Sequence, residues 1–135
     1  MKNLIIALAS IDALLGVLVL SLPTILHKAG LHPEYHGATV ELPGKRALVI
    51  TTSHGVLAAP GETEGKPSGV AISELTHPYY TFLDGGMRVD VASVKGGEIP
   101  VDPQTLMFMI RTPEDERFLS DPVLQARVKN SLRID

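Results

Sequence analysis

Between Leu4 and Leu26 the chain carries a single ionisable side chain, Asp12, and every other charge except Lys2 lies beyond that segment. As an α-helix at 1.5 Å per residue it extends roughly 34 Å, against about 30 Å of bilayer hydrocarbon. Its aliphatic side chains favour insertion by about 0.3 to 0.6 kcal/mol each, roughly 6 kcal/mol together, while Asp12 costs at most about 3 kcal/mol. Gly16, Ser21 and Pro23 narrow that margin without reversing it. Three readings of residues 4–26 stand: a signal anchor held in the membrane, a cleaved secretory signal, and a helix buried in a domain core. The anchor leads. Lys2 supplies a basic n-region, but Val19-Leu20-Ser21 is a mediocre cleavage site spoiled by nearby Pro23. A core helix normally shows one polar face, and this one has hardly any. Orientation stays open, because Lys2 and the amino terminus flank one end while His27 and Lys28 flank the other. The expected location is a membrane, through a single amino-terminal pass, with export after signal cleavage as the alternative.

Beyond residue 26 the chain is of ordinary polarity. With no Cys among 135 residues, disulfides, cysteine-ligated zinc or iron–sulfur sites and a thiol nucleophile are all excluded from this chain. Twelve basic against 15 acidic side chains argue against holding nucleic-acid backbones, and aromatics at 4% without Trp leave little for base stacking. We expect no nucleic-acid partner and no cofactor. Residues 27–44, punctuated by Pro and Gly, read as a linker that ends in a turn at Pro43-Gly44, and residues 45–135 as the folded part.

That part reads as α/β. Ala47-Leu48-Val49-Ile50-Thr51 is apolar throughout, as a parallel strand covered on both faces should be. Residues 52–68 read as a long loop at its carboxyl end. A helix comes next, from Val70 to about Leu83, kinked or divided at Pro78 and ended by Asp84-Gly85-Gly86. Residues 87–93 make the second strand, which completes a right-handed βαβ unit. Thr112-Pro113 and Asp121-Pro122 each carry the signature of a helix start. Two strands with partial helical cover make a poor sheet, so residues 45–135 are expected to be the front part of a larger fold.

Ser53-His54, with Thr52 and Gly55, sits at the carboxyl end of the first strand, where open α/β sheets bind ligands. A plain loop is the leading reading of these four residues; lining a pocket suits them better than catalysis by Ser53, since neighbours on extended backbone rarely face each other and no orienting carboxylate is evident. His27, His32 and His36 are spaced along a segment broken by Pro33 and lack a completing carboxylate, so no metal site is expected. His77 reads as a packed or exposed helix residue, and Tyr79, Tyr80 and Phe82 as core. Neither Gly-Gly pair has nucleotide-binding spacing. Taken alone, Glu74 reads as a solvated helix residue.

Several segments in order nevertheless resemble the DJ-1/PfpI superfamily. They are KRALVITTSHG, Ser68-Gly69-Val70, the E-x-x-x-P of Glu74 to Pro78 with Tyr79, Tyr80 and Phe82, the strand ending at Ser93, the Gly96-Gly97 loop, Pro100 to Pro103, and FLSDPVLQARVKNSL. The branch most similar is that of heat-shock chaperones and glutathione-independent glyoxalases. The resemblance covers residues 45–135 and implies the amino-terminal part of a three-layer, flavodoxin-like, class I glutamine amidotransferase-like parallel sheet. It further implies cysteine-dependent chemistry on small reactive carbonyls, or stress-chaperone activity. It assigns Glu74 as the acid that hydrogen-bonds the catalytic thiolate, a role a protonated carboxyl can fill. The cysteine itself is missing, so this chain alone is expected to be inactive. A second possibility is a non-catalytic half-domain, completed by a partner chain or a second copy.

Overall fold

The computed structural model describes residues 2–31, 37–38 and 40–134, which fall into two units, Met1–His36 and Gly37–Asp135. The first unit is one helix, α1 (Lys2–Lys28), whose most apolar 18-residue stretch has a mean hydropathy of 2.5 and which has no buried residue. It is long and apolar enough to cross a membrane; length and composition also suit a signal sequence. Inside it the hydroxyls of Ser10 and Ser21 fold back onto the carbonyls of Ile6 (2.9 Å) and Leu18 (3.0 Å), which satisfies both polar groups within the helix. The helix continues past the expected boundary at residue 26. It closes where Gly30 takes φ 84° and the amides of Gly30 and Leu31 reach the His27 and Leu26 carbonyls.

The second unit is α/β with a parallel sheet. Strand β1 (Arg46–Thr51) leads into a hairpin of β2 (Val56–Ala58) and β3 (Gly65–Pro67). Then come α2 (Ile72–Asp84), β4 (Arg88–Ser93), a 3-10 turn at Pro103–Leu106, α3 (Pro113–Ser120), α4 (Pro122–Lys129) and β5 (Leu132–Arg133). The sheet order is β1-β4-β5, all parallel, with Arg46 beside Arg88 and Thr51 beside Ser93. The expected βαβ unit is therefore present, and a short third strand joins it.

Helix α2 forms because Ile72, Leu75, Thr76, Tyr79 and Tyr80 recur at helical spacing and all bury. Of the two alternatives at Pro78, division is excluded: the helix runs unbroken to Asp84. The proline denies the Glu74 carbonyl its donor, a cost of about 3 kcal/mol in a free helix. Burial of the neighbouring tyrosines offsets it, each side chain contributing on the order of 2 kcal/mol. The exit repeats that of α1: Gly86 takes φ 81°, with the Gly86 and Met87 amides on the Leu83 and Phe82 carbonyls.

Residues 52–68 are also more ordered than expected. The hairpin pairs Val56 with Pro67 and Ala58 with Gly65, and a Cβ at Gly65 would lie 2.1 Å from the Leu57 carbonyl oxygen, so only glycine lets the strands close. Its short strands and its proline hid it from the sequence pattern. The core is a single cluster in which Val49, Val89 and Val91 of the sheet meet Ile72, Leu75, Tyr79 and Tyr80 of α2, Phe118 of α3, and Leu124 and Val128 of α4.

Sheet cover differs from the expectation for an all-apolar strand. Leu48 and Ile50, on the face opposite Val49, are 48% and 56% exposed. Within this unit no helix among the described residues packs over them, because the three helices that come after β1 all join the Val49 cluster. On that open face Ile50, Ala92 and Leu132 sit side by side, and the small Ala92 is buried between its larger neighbours.

Candidate functional site at the carboxyl ends of the strands

A parallel sheet brings the loops after its strands to one end. Here residues 52–55 leave β1 and Val94-Lys95 leave β4 at that end, and α2 starts there too. The Thr52 hydroxyl accepts the His54 amide at 2.9 Å, which makes a tight turn. The Ser53 hydroxyl accepts the Lys95 amide at 2.8 Å and ties the two loops together. Thr52, Ser53, His54, Val94 and Lys95 line a small concavity of about 170 Å³.

Ser53 and Gly55 also border a wider cleft of about 720 Å³, shared with Glu98, Pro100, Phe118, Gln125 and Lys129. Pro100 and Val101, which line it, are tied to the start of α2 by an isolated parallel bridge, Val70 beside Val101, in which the Val70 amide donates to the Pro100 carbonyl and the Asp102 amide to the Val70 carbonyl. Gly69 permits this approach, since a Cβ there would stand 2.1 Å from the Pro100 carbonyl oxygen.

The structure thus gathers Thr52, Ser53, His54 and Gly55 around one end of the sheet. It does not join Ser53 and His54 as a catalytic pair: the serine hydroxyl holds a backbone amide, and the exposed imidazole makes no hydrogen bond among the described residues. Glu74 lies in the first turn of α2 at this same end, exposed, where the helix dipole favours a carboxylate. Its side chain has no hydrogen bond or ion pair among the described residues, and no thiol stands near it, since the chain has none. Among the described residues no His, Asp or Glu group could hold a metal ion. His27 lies in the last turn of α1, while His32 and His36 are outside the described residues.

Two polar clusters were not legible in the sequence. Asp115 is 1% exposed and accepts the Thr76 hydroxyl at 2.6 Å and the Thr112 amide at 2.9 Å, while Thr112 in return accepts the Asp115 amide. This capping box at the start of α3 also meets His77, whose Nε2 lies 3.0 Å from the Thr112 hydroxyl and 3.3 Å from Glu114. His77 therefore bridges helices rather than serving a site. The Thr-Pro-Glu-Asp signature located that helix start but gave no hint that its aspartate would be buried.

The other cluster lies at the opposite, amino-terminal end of the sheet. Asp90 bonds Arg46 at 3.0 Å and Arg127 at 3.2 Å, and Arg127 also donates to the Val89 carbonyl on the open edge of β4. The hydrogen bond from Arg46 holds the Asp90 carboxyl below its ordinary range, despite an opposing push from burial. Nearby, burial and then the hydrogen bond donated to Asp121 push the Tyr80 hydroxyl well above its ordinary range, with Arg117 stacked 4.1 Å over the ring.

Among solved structures, the Rapid Encystment Protein 24 KDa (REP24) of Francisella tularensis is similar, at 37% identity and TM-score 0.56 over 66% of this chain and 37% of its own. The crystallographic structure of APC35852 is similar at 28% identity and TM-score 0.51 over 68% of this chain and 36% of its own. No protein-family model and no curated protein matches the sequence. The chain spans little more than a third of the length of the solved proteins it matches.

Proposed function

We propose that residues 45–135 are the amino-terminal part of a DJ-1/PfpI-type, flavodoxin-like domain, carried on a single-pass membrane anchor formed by α1. One observation carries this reading: the β1–α2–β4 unit puts residues 52–55 and an unengaged Glu74 at the same end of a parallel sheet, where such sheets hold ligands. In the complete domain Glu74 would hydrogen-bond a cysteine thiolate supplied from outside these residues. The thiolate would attack the carbonyl carbon of a small aldehyde such as methylglyoxal, and residues 52–55 would line the pocket.

The test is complementation. Mixed with the cysteine-bearing part of a DJ-1/PfpI glyoxalase, the chain should support methylglyoxal consumption that drops at least about tenfold on Glu74→Ala. The chain alone should show none. Turnover by the chain alone, or a complex indifferent to Glu74→Ala, would overturn the reading. A second reading, a non-catalytic half-domain completed by another chain, is favoured by exposed Leu48, Ile50 and Leu132 on the uncovered sheet face.

A further inference from the structure

The amino-terminal end of the sheet gathers cations that the proposed chemistry does not use. Lys45 and Arg46 bring the chain into β1, Arg88 opens β4 beside Arg46, and Arg127 reaches in from α4. The three arginines border an open cleft of about 640 Å³ together with Asp90 and Asp121. Asp90 is divided between Arg46 and Arg127, and the Asp121 carboxylate is committed to the Tyr80 hydroxyl and to two amides that start α4. Arg88 has no ion pair among the described residues, and the Arg46 side chain is 75% exposed. At the other end of the strands Glu62, Glu64, Glu74, Glu98 and Asp102 stand with Lys66, Lys95, Lys129 and Arg133, so that end carries no cationic excess.

We propose that the basic end of this domain docks on the phosphate headgroups of an anionic bilayer, so that the loops at the carboxyl ends of the strands face away from lipid. The inference rests on reading α1 as a membrane span. Charge complementarity selects the bilayer as occupant: guanidinium groups match phosphate in shape and charge, and the opposite end, without a cationic excess, offers that surface no such match. Connectivity agrees, because the segment leaving α1 enters the sheet at Lys45-Arg46, on the basic end. Each arginine near an anionic surface adds on the order of fivefold to partitioning, and the effect fades within a Debye length.

The absence of cysteine gives a clean experiment on the full chain. Thr81→Cys, in the last turns of α2, or Thr63→Cys, in the β2–β3 turn, each takes one fluorophore. The labelled chain is placed in phosphatidylcholine vesicles with or without roughly a third phosphatidylglycerol, and headgroup-nitroxide lipid quenches the probe. The Thr81 probe should be quenched about twofold more strongly in anionic vesicles and the Thr63 probe equally in both. About 0.5 M sodium chloride should erase the difference. Arg46→Gln with Arg88→Gln should erase it too, and Arg88→Gln alone, which breaks no ion pair among the described residues, should reduce it with the circular dichroism unchanged.

Equal quenching of the Thr81 probe in both vesicles, or a difference that survives the arginine substitutions, would overturn the proposal. So would its loss to inorganic phosphate at an ionic strength where sodium chloride has no effect, which would make the cleft a site for soluble phosphate. Carbonate extraction separates the two readings. A chain released from neutral vesicles removes the membrane span and the docking with it, whereas a retained chain blind to lipid charge removes the docking alone.

Discussion

Asp90 shows how one residue couples two elements and sets a pH dependence. Held by Arg46 of β1 and Arg127 of α4, its carboxyl titrates lower in the folded chain than in the unfolded one. The folded state therefore binds fewer protons, and stability rises with pH across the transition. The contribution is complete above the unfolded carboxylate value of about 3.9 and is lost as pH falls through the lower folded value. In urea titrations, Asp90→Asn should reduce stability at neutral pH and flatten the decline below about pH 4; an unchanged acid limb would show that the pair is not coupled to folding. Neither arginine partner was legible in the sequence, because Arg46 and Asp90 become neighbours only through the parallel register of β1 and β4. Asp115 was hidden for a related reason, since an acid in a first helical turn reads as solvent-facing until Thr76 is packed against it.

The elements themselves were largely written in local chemistry. Proline after Thr112 and Asp121 marked two helix starts, and the paired glycines after Asp84 marked an end. What local chemistry could not reveal is how packing overrides a breaker, as it does at Pro78, or how a close backbone approach makes a hairpin out of a glycine-rich loop at Gly65. Helix α2 depends on its buried stripe, and Leu75, at 0% exposure, stands at its centre. Leu75→Ala should cost about 2 to 5 kcal/mol in chemical denaturation, with the far-ultraviolet spectrum before the transition unchanged. A loss under about 1 kcal/mol would mean that the cluster collapses around the vacancy and that α2 is held chiefly by its polar ties to α3.

On the scale of the molecule, the chain divides into an apolar helix that buries nothing and an α/β unit that buries one face of its sheet. The first was plain from the absence of charge between Leu4 and Leu26, Asp12 apart. The second was half plain: the continuous apolar run of β1 called for cover on both sides, and among the described residues of this unit only the Val49 side has it. The candidate site shows the same division. The position of residues 52–55 at a strand end could be foreseen, whereas the freedom of the Glu74 carboxylate depends on how α2 is set. If the uncovered face is where copies meet, Leu48→Thr with Ile50→Thr should lower the solution mass of the detergent-solubilised chain to that of a monomer without altering its circular dichroism. A mass independent of these substitutions would place any association elsewhere.

Strand β5 is short. Among the described residues two pairs, Ala92 with Leu132 and Ser93 with Arg133, place it in the sheet, beside the contact of the Ser93 and Ser131 hydroxyls at 2.8 Å and the exchange of amides between Gly97 and Ser131. A two-residue strand at a sheet edge is expected to open by local fraying rather than by global unfolding. The buried hydroxyls of Ser93 and Ser131 would meet water at each opening, while the valines beneath α2 stay closed. Hydrogen exchange should therefore be slow in the interior and faster at this margin, which with β1 is one of the two sheet edges where an incoming strand could pair.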